Sequence, residues 1–262
     1  FGGKHRSKSV RLWSMGDSRI ILNEQGREDS PRLSGVGLRV GSAEQAARRG
    51  AALGAATMFR RTYAGEHVLH PVAAPDGTAV YWNDRPPEST WIREFEGGDA
   101  ETAGTADLDG SLTACVDHIN LSYRWHEFEE AVLFFHSVLG LSSQDAHDVP
   151  GPQGLVRSQV MRSPDGAVRL PLNLAPPTAP MPPRHIAVGC SGIVELARAA
   201  RRRGLQFLKV PDNYYADLRA KFGLDEDFLA ELKELDLLYD RSGSGEFIHF
   251  YTPTLGDVFL EM

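Results

Sequence analysis

Val116-Asp117-His118-Ile119-Asn120-Leu121 follows a run of small and acidic residues and has the composition of a strand. Side chains alternate along a strand, so His118 and Asn120 share one face while Asp117, Ile119 and Leu121 take the other. A helical pattern begins at about Trp125 and runs through Phe128, Ala131, Val132, Phe135 and Leu139 to a stop at Gly140. Its apolar stripe is suited to covering the Ile119 face, which leaves His118 looking into a cavity. The design recurs twice. In Arg184-His185-Ile186-Ala187-Val188, His185 stands opposite Ile186 and Val188. In Asp257-Val258-Phe259-Leu260-Glu261-Met262, Glu261 stands opposite Val258, Leu260 and Met262. Two histidines and one carboxylate on three separate strands have the makings of a facial triad for iron(II).

Composition sets the frame for that triad. The chain has 262 residues, 42% of them hydrophobic, enough for one large domain or two of ordinary size. A net charge of -7 argues against a general nucleic-acid surface. Basic residues cluster at Lys4 to Arg11, a solvated strand edge or an anion contact, and at Arg198 to Arg203, the polar face of a helix. Cys115 and Cys190 are the only cysteines, which suits a reducing cytoplasm, and each reads as a small buried thiol. No apolar run approaches the ~20 residues of a membrane-spanning helix, and no signal peptide is visible. Neither a nucleic-acid partner nor a membrane is expected, and a homo-oligomer stays open.

The chain looks like one unit written twice. Val10 to Trp13 and Ser18 to Asn23 form a predicted hairpin, followed by a strand at Val36 to Val40 and an Ala-rich helix from Ala43 to Leu53. Ala56 to His70 contains extended stretches, and Ala79 to Trp82 reads as a strand. Residues 84–112, rich in Pro, Gly, Thr, Glu and Asp, read as linker. The second half is predicted as a strand at 114–121, a helix at 126–139, a loop at 142–153 and a hairpin around Ser163-Pro164-Asp165-Gly166. A Pro-rich loop, a strand at 185–189, a helix near 192–203 and a strand at Phe207 to Val210 come next. A helical insert at Tyr214 to Leu237 precedes strands at 246–251 and 257–262. In the repeat register Gly37 stands where His185 does, and Asn83 where Glu261 does, so the first copy lacks the same ligands. It also lacks an opening strand and helix. Those pieces would precede Phe1, and the chain therefore reads as the C-terminal part of a longer protein.

A lone histidine on a strand is more often structural than a ligand. The case rests on three positions at equivalent places in a repeated fold. An unpaired Glu261 on a core strand would be costly by several kcal/mol or would shift its pKa, and a cation removes the difficulty. The cysteine spacing gives no support to a structural zinc.

These residues carry a family resemblance. From roughly 113 to 262 the chain resembles the catalytic half of 4-hydroxyphenylpyruvate dioxygenase, in the vicinal oxygen chelate superfamily. The matching pieces are Val116-Asp117-His118, Ser163-Pro164-Asp165-Gly166 through Pro171-Leu172-Asn173, His185-Ile186-Ala187, Gly204 to Leu208, Val210-Pro211 with Tyr214-Tyr215, Leu237 to Asp240, Phe247 to Thr252 and Val258 to Met262. The first half resembles the degenerate N-terminal module of that family. The resemblance implies an α+β fold of tandem βαβββ modules, the first incomplete and the second an eight-stranded, partly open barrel. The expected division is 1–95, a linker at 96–112, and a metal-binding module at 113–262. The resemblance further implies iron(II) on His118, His185 and Glu261, a site that magnesium, nickel or zinc can also fill. It places Ser158 and Asn173 near a 2-oxo acid substrate. In the family that acid chelates iron, dioxygen takes the remaining position, and oxidative decarboxylation is followed by ring hydroxylation.

The chain departs from the pattern at Arg184 and His249, where the family usually has Gln, and it stops at Met262. Arg184 is either a partner for a substrate carboxylate, which would favour a more acidic ligand, or a solvated loop residue. His249 is either a donor or base beside the pocket or a packed ring. Tyr214 and Tyr215 read as packing. Lys4-His5-Arg6-Ser7-Lys8 before Leu12-Trp13 resembles the junction of bacterial fusion proteins that carry a sugar-phosphate-isomerase-like barrel upstream, in several a 3-dehydroshikimate dehydratase. The leading expectation is thus an iron-dependent dioxygenase acting on a 2-oxo acid. The alternative is an accessory metal-binding domain of a bifunctional dehydratase.

Overall fold

The computed structural model describes residues 2–26, 29–86, 91–97, 114–151, 154–175, 180–243 and 245–262. Its second half is one curved sheet in which the long strand β8 (Ala114–Arg124) is central. β8 has on one side, in order, β12 (Arg169–Ala175), β11 (Gly154–Arg162) and β10 (His147–Gly151), and on the other β13 (Arg184–Cys190) and β16 (Val258–Glu261). The short β9 (Ser142–Ser143) pairs with β11. A separate ladder of β14 (Leu238–Ser242) and β15 (Gly245–His249) approaches the sheet through a bridge between Tyr251 and Glu261. Among the described residues the strand order does not close into a barrel. The sheet has the vicinal oxygen chelate architecture: α2 (Phe128–Ser137) follows the opening strand of one βαβββ unit, and α3 (Ile193–Arg202) that of the next.

The helix α2 covers the face that alternation predicts. Phe128, Ala131 and Phe135 pack on Leu121 and Tyr123 of β8, Met161 of β11 and Leu170 and Leu172 of β12, all buried. Each such Leu or Phe contributes roughly 1.5–3 kcal/mol through removal from water. Gly140 closes the helix with φ 71°, a left-handed conformation that a side chain would oppose. A second core gathers α3, α4 (Asp212–Phe222) and α5 (Glu226–Glu234) around Leu232, Leu237, Tyr239 and Phe250. No helix among the described residues is long and apolar enough to cross a membrane.

In the first half, β1 (Gly3–His5), β2 (Val10–Met15), β3 (Ser18–Asn23) and β7 (Phe95–Glu96) make one sheet in the order β3-β2-β1-β7. β4 (Gly35–Arg39), α1 (Ala43–Ala52), β5 (Val72–Ala73) and β6 (Ala79–Asn83) supply a second, ordered β4-β6-β5. The halves share a core, since Val72, Val80 and Trp82 pack in the same cluster as Leu121 and Phe135.

Several elements depart from the sequence prediction. The stretch 142–153, predicted as loop, carries β9 and β10, whose mixed composition hides the pairing with β11. Phe207 to Val210 forms no strand, although Leu208 N–H still donates to the Tyr251 carbonyl. Residues 56–70 make only a single bridge, Thr57 to Val72. The predicted linker at 84–112 contains a 3-10 turn at Trp91–Glu94 followed by β7, and residues 87–90 and 98–113 lie outside the described ones. Cys115 is exposed and Cys190 half-buried, so the pair are free thiols of which only Cys190 is sheltered.

Candidate metal centre

Three adjacent strands, β8, β13 and β16, bring His118, His185 and Glu261 together. Ala187 pairs with His118 on one side and Glu261 on the other, and His185 pairs with Asn120. The two large side chains thus flank a small residue and converge over it. His118 Nε2 lies 3.0 Å from His185 Nε2. Glu261 Oε2 lies 3.9 Å from His118 Nε2 and 3.5 Å from His185 Nε2. With metal–ligand bonds of ~2.1 Å, neighbouring octahedral ligands stand about 3.0 Å apart. The three side chains are 17–21% exposed, so the group is sheltered yet reachable.

Their protonation also suits a cation. Asp117 Oδ2 is 2.8 Å from His118 Nδ1. A carboxylate only accepts, so the proton sits on Nδ1 and the Nε2 lone pair faces the His185 and Glu261 side chains. Arg169 makes a close contact with the other oxygen of Asp117. Burial, and then the neighbouring His118, hold the His185 imidazole down at about 4, which keeps it neutral. Burial raises Glu261 above the ordinary carboxylate range, with His118 opposing and Asp117 reinforcing the shift. The donor set fits a divalent ion.

Asp117 was missed from sequence because alternation puts it on the opposite face from His118. The ladder between β8 and β13 shifts register between Ala187 and Val188, passing from His118 to Val116 and leaving Asp117 as the extra residue of a bulge. The bulge turns its carboxylate onto the neighbouring ring. Phe259 was missed as well. It stacks on His185 with centroids 5.0 Å apart and planes at 30°, as the next residue but one from Glu261 on the same face.

The remaining predicted residues divide. Ser158 and Asn173 are direct cross-strand partners, and Asn173 stands beside Ser122 of β8, on the His118 face. His249 lies two rings away: it meets Tyr251 at 5.1 Å, and Tyr251 meets Phe259 at 5.5 Å. Burial lowers its pKa, with Asp240 pulling the other way. Tyr214 bridges both backbone groups of Tyr239, a packing role.

Arg184 needs correction. Its guanidinium does not bend over the rim of the cup. It donates to Asp76 Oδ2 at 2.7 Å, Leu33 O at 3.0 Å and Thr78 Oγ1 at 3.1 Å, all in the first half. It is therefore neither a substrate carboxylate partner nor a solvated residue. Strand alternation turns it away from His185, and a buried acidic partner holds it there. A second compact group, His5, Glu66 and Glu94, lies in the first half. Its carboxylates are already engaged: His5 and the His67 N–H bind Glu94, and Lys8, Ser7 and the Tyr63 N–H bind Glu66.

Residues 116–244 match the Glyoxalase/Bleomycin resistance protein/Dioxygenase superfamily, in keeping with the vicinal oxygen chelate fold of the sheet just described. Among particular relatives, a 3-dehydroshikimate dehydratase of Pseudomonas aeruginosa is 33% identical, over 95% of this chain and 42% of its own length. A 4-hydroxyphenylpyruvate dioxygenase of the same organism is 26% identical over 99% of this chain and 78% of its own. A solved structure described as a xylose isomerase-like TIM barrel/4-hydroxyphenylpyruvate dioxygenase fusion protein superimposes with a TM-score of 0.80 at 30% identity, covering 99% of this chain and 44% of that one. The chain thus spans about two fifths of the dehydratase and of the fusion protein.

Proposed function

We propose that this chain is a metal-dependent, dioxygenase-type domain that binds iron(II) through His118, His185 and Glu261 and acts on a 2-oxo acid. The observation that carries the proposal is the convergence of two imidazoles and one carboxylate from three adjacent strands, with the nitrogens 3.0 Å apart. An iron(II) ion would supply the redox and Lewis-acid chemistry for dioxygen and the oxo acid. The chain's own residues do the rest. Asp117 holds the proton on His118 Nδ1. Phe259 stacks on His185 and fixes its plane. Ser158 and Asn173 orient the bound acid by hydrogen bonds, and residues 1–95 brace the module formed by 113–262. The two free thiols suit a reducing, cytoplasmic setting.

A second function is favoured by the dehydratase relatives: a metal-bearing accessory domain beside an upstream barrel in the same protein. Metal analysis and oxygen uptake separate the two. Stoichiometric metal that is lost in Glu261→Ala, with 2-oxo acid-dependent uptake that is lost in His185→Ala, is the expected result. Full metal occupancy in Glu261→Ala would overturn the site. Silence across a panel of 2-oxo acids, with metal bound, would favour the accessory domain.

A further inference from the structure

Each sheet of the first half ends on an open strand. Among the described residues, β3 ends the sheet β3-β2-β1-β7, and β4 ends the sheet β4-β6-β5. The second half repeats both ladders and joins them. Its β11–β12 hairpin pairs Met161 with Leu170 and Gln159 with Leu172. In β2 and β3 the same register sets Trp13 against Ile20 and Arg11 against Leu22. Its parallel ladder of β13 and β16 pairs His185 with Phe259 and Ala187 with Glu261. In β4 and β6, Gly37 pairs with Tyr81 and Arg39 with Asn83 in the same way. β8 lies between the two ladders, parallel to β12 and antiparallel to β13. No described strand takes that place between β3 and β4.

The residues that β8 and α2 cover in the second half have exposed equivalents in the first. Met161 and Leu172, beneath α2, are both 0% exposed, and Leu170 is buried beside them. In the matching places Trp13 is 46% exposed, Leu22 44%, and Ile20 half-buried. The edge is also ready to pair. Alternate residues of an antiparallel strand bond to the partner strand, and the intervening ones face away. Glu24 N–H donates to the Ser9 carbonyl on the β2 side, so Ile20 and Leu22 bond to β2 while Arg19, Ile21 and Asn23 turn their backbone groups outward. Ile20-Ile21-Leu22 holds no charge, proline or bulge of the kind that blocks an open edge.

We infer that β3 and β4, with the apolar face of Trp13, Ile20 and Leu22, form a docking surface for one strand–helix segment from outside residues 1–262. The strand runs parallel to β3 and antiparallel to β4, and an amphipathic helix follows it. The register of β8 specifies the chemistry of that strand. The position of His118 falls opposite Arg39, that of Ile119 beside Leu38, that of Asn120 opposite Gly37 and that of Leu121 beside Leu22. Arg39 is exposed and has no carboxylate partner among the described residues, so an acidic residue suits the first position. Apolar residues suit the second and fourth. A Cβ added at Gly37 would meet nothing within 4 Å, which leaves room for a polar side chain at the third. The helix lays its apolar stripe over Trp13, Ile20 and Leu22, as Phe128, Ala131 and Phe135 of α2 do over the second hairpin. A second copy of the chain cannot lend its own strand and helix, because β8 and α2 are core there.

The test uses the full chain and a synthetic peptide that copies Val116–Leu139, the strand and helix of the second half, carrying H118E. Titration calorimetry reads binding, and hydrogen exchange reads where it occurs. In the chain alone the amides of Arg19, Ile21 and Asn23 should exchange fast and those of Ile20 and Leu22 slowly. The peptide should slow the three fast amides at least about tenfold. A peptide carrying H118K instead should bind about fivefold more weakly, and Arg39→Glu should reverse that order. Leu22→Asp, at an exposed position, should abolish binding with Tm unchanged. The inference is overturned if the H118E peptide does not bind, if a scrambled peptide binds equally, or if binding leaves the three amides unprotected. It is overturned equally by a charge order that Arg39→Glu leaves as it was. Amides already slow in the chain alone would show the edge to be covered. Protection that rises with protein concentration would assign the edge to a second copy. Either result also overturns the inference.

Discussion

Asp117 shows how much a single residue depends on local backbone geometry. It is adjacent in sequence to His118, and only a bulge lets adjacent strand residues meet on one side. Its contact fixes which imidazole nitrogen carries the proton, and Arg169 holds the carboxylate from behind. Groups that orient a ligand in this way commonly account for 10–100-fold of metal affinity. Asp117→Ala should weaken metal binding by about that factor while leaving the fold cooperative. Competition with a chromophoric chelator reads the change, and an unaltered affinity would show that the contact orients nothing.

Among the elements, the connection between β1 and β2 is tied to residues 53–70 in part through one carboxylate, Glu66. Burial alone would raise Glu66, but hydrogen bonds from Lys8, Ser7 and the Tyr63 N–H outweigh it and hold the group at about 2. A folded pKa below the unfolded value of ~4.5 contributes stability that is present above pH ~4.5 and lost as pH falls toward 2. The direction is therefore acid-destabilising, by at most about 3 kcal/mol for a shift of this size. Urea unfolding at pH 6 and pH 3 should show a smaller loss for Glu66→Gln than for the parent chain. Parallel losses would mean that the carboxylate is free of its partners in solution.

At the scale of the whole molecule, the strands carrying two of the three candidate ligands are gripped by the first half. Arg184, next to His185, binds Asp76, Thr78 and Leu33. Asp257, four residues before Glu261, accepts from the Leu33 N–H through its side chain and donates to Pro31 O through its backbone. Gly256, at φ 65°, lies so close to Pro31 that any Cβ would fall 1.8 Å from the Pro31 oxygen. Asp76 is 7% exposed and Arg184 15%, so removing one partner strands the other. Asp76→Ala should cost about 3 kcal/mol by denaturant titration. Arg184→Gln should destabilise the chain without changing relative affinities among 2-oxo acids; a changed preference would put Arg184 back at the cup.

The sequence by itself determined the period of each long element and the side to which its chemistry turns. His118, His185 and Glu261 each alternate against apolar neighbours, and burial enforces that alternation because a one-residue slip would put the apolar set in water. The stripe of α2, its stop at Gly140 and the repeated order of strands and helices follow from the same local rules. Short or mixed segments such as β9 and β10 did not show, because their pairing with β11 is set by a neighbour distant in sequence. Only the tertiary structure decided that a bulge turns Asp117 onto His118, that Phe259 stacks on His185, and that Arg184 binds Asp76, 108 residues away. Each of these depends on register and close approach between strands and halves, and no local pattern of residues encodes which distant partner will be there.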